Sequence, residues 1–381
     1  MNKIYHFVLL AFIAVSIAGF SSCKSDSEDG GEPSVKYVRT TDPAASDSLL
    51  VGAGQGNLIA IVGENLKNVR EIWFNDQQAL LVPTFITNTS VLVTVPSKIP
   101  SDITNKLKMV FANGSTLEHD FKLQISEPVV SSMLSEYVLS GGTAVINGNY
   151  FYEPVAVTFA GGVQGEVLSV KDDRIEVIVP AGAQPGQITV KTNFGETKSD
   201  FWFRDNRNIF LSSDPYTGWW KESFVVKSPG ASDPEAINGN YIRVAQPIAG
   251  WSWLEVAGGP PDAMGDISKN IPDEAILKPE NYYLKFEVNT RKPYNNNVIK
   301  INVGLSQDFY NDGYLWQPPI DTQGKWQTIS IPFDVVAKSY GAPLTLSSKG
   351  YYTRILFHGP GDLDADISFD NFRVVPKVIK K

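Results

Sequence analysis

The chain has 381 residues, 43% hydrophobic and 11% aromatic, with 33 basic against 41 acidic side chains, a net charge of −8 and one cysteine. That length suits two to three domains. An acidic chain without a basic stripe excludes nucleic acid as a partner, and a single cysteine leaves every domain to be held by its own core.

Residues 1–22 read as an address. Lys3 gives a basic start, Phe7 to Phe20 is apolar apart from Ser16 and Gly19, and Ser21 and Ser22 precede Cys23. This is the pattern of a secretory signal peptide, too short for a bilayer span of about 20 residues. A lone cysteine after small residues resembles a bacterial lipoprotein signal. That resemblance implies cleavage before Cys23 and a lipid on it, the alternative being an ordinary signal with an incidental cysteine. Cleavage removes Lys3 and leaves 32 basic against 41 acidic residues. Residues 23–34 are polar, acidic and Gly-rich and predict a disordered tether. The segment resembles the acidic export tag of surface lipoproteins of Bacteroidota.

Two repeats follow, at 35–126 and 127–205. Asn57 to Leu66 echoes Gly142 to Phe151, aligning Ile61 with Ile146 and Gly63 with Gly148, and Val91–Pro96 echoes Ile175–Pro180. Short alternating strands with Gly, Pro and Asn turns at a period of about 80–90 residues predict β-sandwiches. The order of strands and turns resembles the IPT/TIG immunoglobulin-like domain, which implies spacers. Trp73 reads as ordinary strand packing. Gly52 to Gly56 lacks a following helix, so it does not read as a phosphate loop.

Residues 206–381 change pattern. Strands are expected at 222–227, 240–245, 251–256, 281–289, 298–305, 326–332, 354–358 and 366–374, with no amphipathic helix, giving a jelly-roll-like sandwich in an all-β chain. Six of the eight tryptophans fall here, more than a core of this size needs. Alternation turns Tyr282, Leu284, Phe286 and Val288 inward and Lys285 and Glu287 outward. In 251–256, Leu254 and Val256 face the core. Trp251, Trp253 and Glu255 then share the other side, the tryptophans about 7 Å apart. Such a pair stacks on the C–H faces of pyranose rings while Glu255, and Tyr241 and Arg243 from a neighbouring strand, receive the hydroxyls. The competing expectation is that both tryptophans belong to a second buried layer. Adjacent Trp219 and Trp220 point opposite ways, so at most one of them is a further platform candidate. Tyr310, Tyr314 and Trp316, in a turn-rich loop, are expected to be exposed for binding. Trp326, at the start of a strand, reads as structural.

Asp362, Asp364, Asp366 and Asp370 read as a solvated turn, with a calcium site the less favoured alternative, and no cofactor is expected. A glycosidase needs two carboxylates across the scissile bond, and Glu255 has no evident partner. Only His119 and His358 follow the signal, in different domains, and no Gly-x-Ser-x-Gly elbow exists.

Asn238 to Val244, Gly324 to Pro332 and Ile367 to Val375 resemble strands of jelly-roll carbohydrate-binding modules. With the lipoprotein start and the tandem IPT/TIG repeats, the chain resembles a surface glycan-binding protein of the B type from a polysaccharide-utilisation system. That resemblance implies a non-enzymatic protein on the outer membrane, lipid-anchored at the cell surface beside a TonB-dependent transporter. It also implies capture of xyloglucan, another β-glucan or mannan by the C-terminal domain. A lipid-anchored glycoside hydrolase and a structural adhesin are the alternatives.

Overall fold

The structure, a computed structural model, describes residues 31–45, 47–218, 222–307 and 313–377. Cys23, Trp219, Trp220 and Tyr310 lie outside them. Nearly all regular structure is β, and the chain divides into a unit of Met1–Ile125 and one of Ser126–Lys381.

In the first unit, Leu58–Glu64 pairs with Ser34–Thr40 on one side and Ser90–Thr94 on the other. A second sheet runs Gln77–Gln78, Val69–Phe74, Lys106–Phe111, Thr116–Asp120. Ile59, Ile61, Val91 and Val93 pack with Ile72, Phe74, Leu107 and Met109 as an immunoglobulin-like core. The first part of the second unit repeats this plan. Thr143–Asn149 lies between Val129–Met133 and Arg174–Ile178, and its own core includes Ile146, Val157, Ile175 and Val190.

The motif glycines have one physical reason. A Cβ on Gly63 would stand 1.9 Å from the Ser34 carbonyl oxygen, and one on Gly148 would stand 1.8 Å from that of Val129. Both glycines sit where a bulge brings the neighbouring strand's backbone close. Two residues on, the backbone turns left-handed in both repeats, at Asn65 (φ 58°) and Tyr150 (φ 61°).

Among the described residues, the C-terminal domain is a two-sheet sandwich of ten strands: β1 (Ile209–Leu211), β2 (Val225–Val226), β3 (Tyr241–Ile248), β4 (Leu254–Gly259), β5 (Tyr282–Thr290), β6 (Ile299–Gly304), β7 (Tyr314–Trp316), β8 (Gln327–Pro332), β9 (Tyr352–Phe357) and β10 (Leu363–Pro376). The back sheet has the order β2-β3-β10-β5-β8 with β1 also on β10, and the front sheet has the order β4-β9-β6-β7. Val244, Leu284, Phe286 and Phe369 from the back meet Val256, Ile301, Ile355 and Phe357 from the front.

Several expectations are corrected here. The expected strand at 222–227 is a short 3-10 turn, Glu222–Phe224, followed by two paired residues. Short helices occur at Pro261–Met264, Asp273–Leu277 and Phe333–Lys338, where none was expected. The aspartates do not form one solvated turn: Asp362 is exposed in the loop as expected, whereas Asp364, Asp366 and Asp370 lie in β10, where Asp370 is buried. Asp366 is bonded to Arg243, Asp364 to Lys292, and Asp362 accepts from the Gly250 amide.

Lys285 and Glu287 do face away from the core, yet both are buried. Glu136, from the preceding Ig-like core, covers them. Its carboxylate bonds Lys285 Nζ and accepts from Arg373 Nη2 at 2.6 Å, while Arg373 Nη1 reaches Glu287 at 2.9 Å. Arg373 and Glu287 have no exposed side-chain surface. The Thr328 amide donates to the Leu134 carbonyl at 2.9 Å, and the Tyr137 ring lies 5.2 Å from the Arg373 guanidinium. The second Ig-like core and the C-terminal domain are thus joined through polar groups that each other's presence keeps dry.

One group in this layer is poorly compensated. Asp370 is 6% exposed and its Oδ2 has no hydrogen-bond partner among the described residues. Burial, and then the charge of Glu287, push its carboxyl well above the usual range against the opposing Arg373. A raised carboxyl stabilises the fold only while protonated, and that contribution is lost as pH rises through the folded value. Asp370→Asn is therefore expected to raise the thermal midpoint at pH 7. The gain should shrink towards the unfolded carboxyl value of about 3.9. Melting curves from pH 4 to 8 check this, and a lower midpoint at pH 7 contradicts it.

Candidate functional site

Among the described residues of the C-terminal domain, the most exposed aromatic side chains, Trp251 and Trp253, lie at one end of the front sheet. β3 ends at Ile248, and Gly250 and Trp251 turn the chain before β4 begins at Leu254. The Ser252 amide donates to the Ala249 carbonyl at 3.1 Å, and Trp251 takes φ 62°. Left-handed backbone is unusual for so bulky a residue and costs about 1–3 kcal/mol. The surroundings hold it there: the Trp251 amide donates to Gly359 O at 2.7 Å and the Gly250 amide to Asp362 Oδ1 at 2.8 Å. Gly250 also lies against Gly361, so close that a Cβ would stand 2.9 Å from the Gly361 nitrogen.

Trp251 is 64% and Trp253 55% exposed. They are not neighbours on a strand face, since both precede β4. The turn is what projects them. Between them stands His358, its ring centroid 5.5 Å from that of Trp251 and 4.9 Å from that of Trp253. His358 Nδ1 is 3.1 Å from the Ser252 carbonyl, tying the loop after β9 to the tryptophan turn. Trp253 Nε1 donates to Glu255 Oε1 at 3.1 Å, and the Arg354 guanidinium lies 4.9 Å from the Trp253 ring and 3.7 Å from Glu255. Two exposed indoles, an imidazole and a partly buried carboxylate therefore share one surface, with the Arg354 guanidinium buried beside Trp253 and Glu255. Indoles cover apolar faces, while the polar groups accept from and donate to hydroxyls.

Other expected members lie elsewhere. Tyr241 is fully buried on the back sheet, its hydroxyl donating to Pro234 O at 2.6 Å and its ring edge-on to Trp326. Arg243 is ion-paired with Asp366 and Asp233. Their strand pairs with β10 and not with β4, and residues 233–235 lie over its outer face. Trp316 is 3% exposed because β7 pairs with β6 and turns it inward, where it stacks on Tyr294 at 5.4 Å. Tyr314, on the same side, packs against the core. Trp326 is structural, donating to Glu235 O at 2.8 Å. Reasoning from sequence missed His358 and Arg354. The alternation that turns Ile355 and Phe357 inward would have turned both outward.

Residues 203–376 match the family model described as the surface glycan-binding protein B xyloglucan binding domain. The C-terminal domain belongs to the surface glycan-binding protein B family. An IPT/TIG domain-containing protein of Bacteroides ovatus is 22% identical, with 99% of this chain and all of that protein aligned. The crystal structure of surface glycan-binding protein PbSGBP-B from Prevotella bryantii is 23% identical and covers 92% of this chain and all of its own, with a TM-score of 0.66. That likeness shows a shared fold. The family match spans both sheets, and the tryptophan turn lies within it.

Proposed function

We propose that this protein is a surface lipoprotein that binds a neutral polysaccharide through the Trp251–Trp253–His358 face and holds it for uptake. The observation that carries the reading is the exposure of two indoles on a turn whose backbone the fold holds in an unfavoured conformation. The family match supports a β-linked glucan of the xyloglucan kind as the ligand. Trp251 and Trp253 supply stacking surface, and Glu255 and His358 receive hydroxyls at its rim, with the buried Arg354 holding Glu255 in place. The Ig-like repeats at 35–126 and 127–205 act as spacers from a lipid on Cys23, in partnership with an outer-membrane transporter. Affinity per site is modest, and many copies on one surface add avidity.

Native electrophoresis through gels holding xyloglucan, mixed-linkage β-glucan or galactomannan tests the reading. Retardation by at least one, without release of reducing ends, is expected. Reducing-end release would support a hydrolase, and unretarded migration in all three gels would contradict binding.

A further inference from the structure

We infer that the second Ig-like module carries a glycan subsite of its own, built on Tyr150. This extends the glycan-binding reading to a different surface. The repeats supply the first observation. The left-handed turn after the motif glycine holds Asn65 in the first copy, a residue that tolerates positive φ, and Tyr150 in the second, which does not. Nothing in the turn requires a tyrosine, because the same backbone bonds form in both copies. Gly63 and Leu66 donate to Thr89 and Asn88, as Gly148 and Phe151 donate to Asp173 and Asp172.

The second observation is what the tyrosine adds. Phe151 is buried as the anchor, while Tyr150 remains 39% exposed. Its ring centroid is 6.2 Å from that of Tyr152, which is 5.9 Å from that of Phe194. Beside Tyr150 opens a cleft of about 410 Å³ whose walls include Glu127, Thr197, Lys198 and Asp200. Two carboxylates against one ammonium disfavour a polyanion. An aromatic face rimmed by hydroxyl-binding groups fits a pyranose ring of a neutral polysaccharide. A chain spanning both surfaces would gain from effective concentration, so the subsite needs only weak affinity.

Tyr150→Asn tests the idea with the fold preserved, since it installs the residue that the first repeat uses in this turn. It is compared with its parent in two backgrounds of the full mature chain, wild type and Trp251→Ala/Trp253→Ala, on affinity gels of xyloglucan and mixed-linkage β-glucan. The expected result is a several-fold weaker retardation in the wild-type background. The remnant left by the tryptophan variant should also be lost. Equal migration of Tyr150→Asn and its parent in both backgrounds overturns the subsite and leaves the front face untouched. Full binding by the tryptophan variant that Tyr150→Asn removes supports the subsite and overturns the front face.

Discussion

Trp251→Ala/Trp253→Ala is expected to weaken polysaccharide binding by about a hundredfold or more while barely changing the melting temperature. Aromatic anchors at binding surfaces contribute about 2 kcal/mol or more each when truncated, and about 2.7 kcal/mol is a hundredfold. Stability should be spared because both side chains are more than half exposed, so truncation opens no cavity. Trp251→Gly should even stabilise the free protein, by about 1 kcal/mol, since glycine takes φ 62° without strain. Calorimetric titration together with melting curves separates the two effects. A melting temperature that falls with binding would mean that the indoles serve packing. A variant binding like wild type would move the site elsewhere.

Glu136→Ala should have the largest effect on stability. It strips Lys285 and Arg373 of a carboxylate in a layer where Arg373 and Glu287 have no exposed side-chain surface. Removing one partner of a buried pair costs about 3–5 kcal/mol, because the remaining charge stays buried without compensation. In a cooperative unit of this size, each kcal/mol shifts the midpoint by roughly 2–4 °C. Scanning calorimetry of the mature chain should show the transition of the second unit falling by about 6–20 °C. Glu136→Met/Lys285→Met, which removes both charges, should fall less. A loss under about 1 kcal/mol for Glu136→Ala would place these charges in contact with water.

The fold was legible wherever one face of a strand meets a core. Ile61 and Ile146, and Gly63 and Gly148, occupy the equivalent positions that the repeat assigns them, and the run Tyr282, Leu284, Phe286 and Val288 faces inward as alternation assigns it. Alternation also predicts that the opposite face is wet, and this failed for Lys285, Glu287, Tyr241 and Arg243. Segments outside the strands cover that face, residues 233–235 from the loop just before β3 and residues 134–137 from far upstream, and strand periodicity carries no record of them. The tryptophan turn failed differently. Trp-Ser-Trp-Leu-Glu-Val reads as a strand from its residue types, yet Gly250 and the Gly359–Asp362 loop bend its first half away. Trp251 and Trp253 are exposed for a reason other than the one alternation gave. Trp316 looked like a loop residue because the pairing of Tyr314–Trp316 with β6 spans a turn-rich segment with no strand signal of its own.

The most direct test of the account is a crystal structure of the mature protein soaked with an oligosaccharide of the glycan that retards it on gels. The account predicts a pyranose ring lying flat on the Trp253 or Trp251 indole, with hydroxyls within hydrogen-bond distance of Glu255 or His358. Ligand bound in the C-terminal domain away from both indoles, with the tryptophan turn uncontacted, would contradict it.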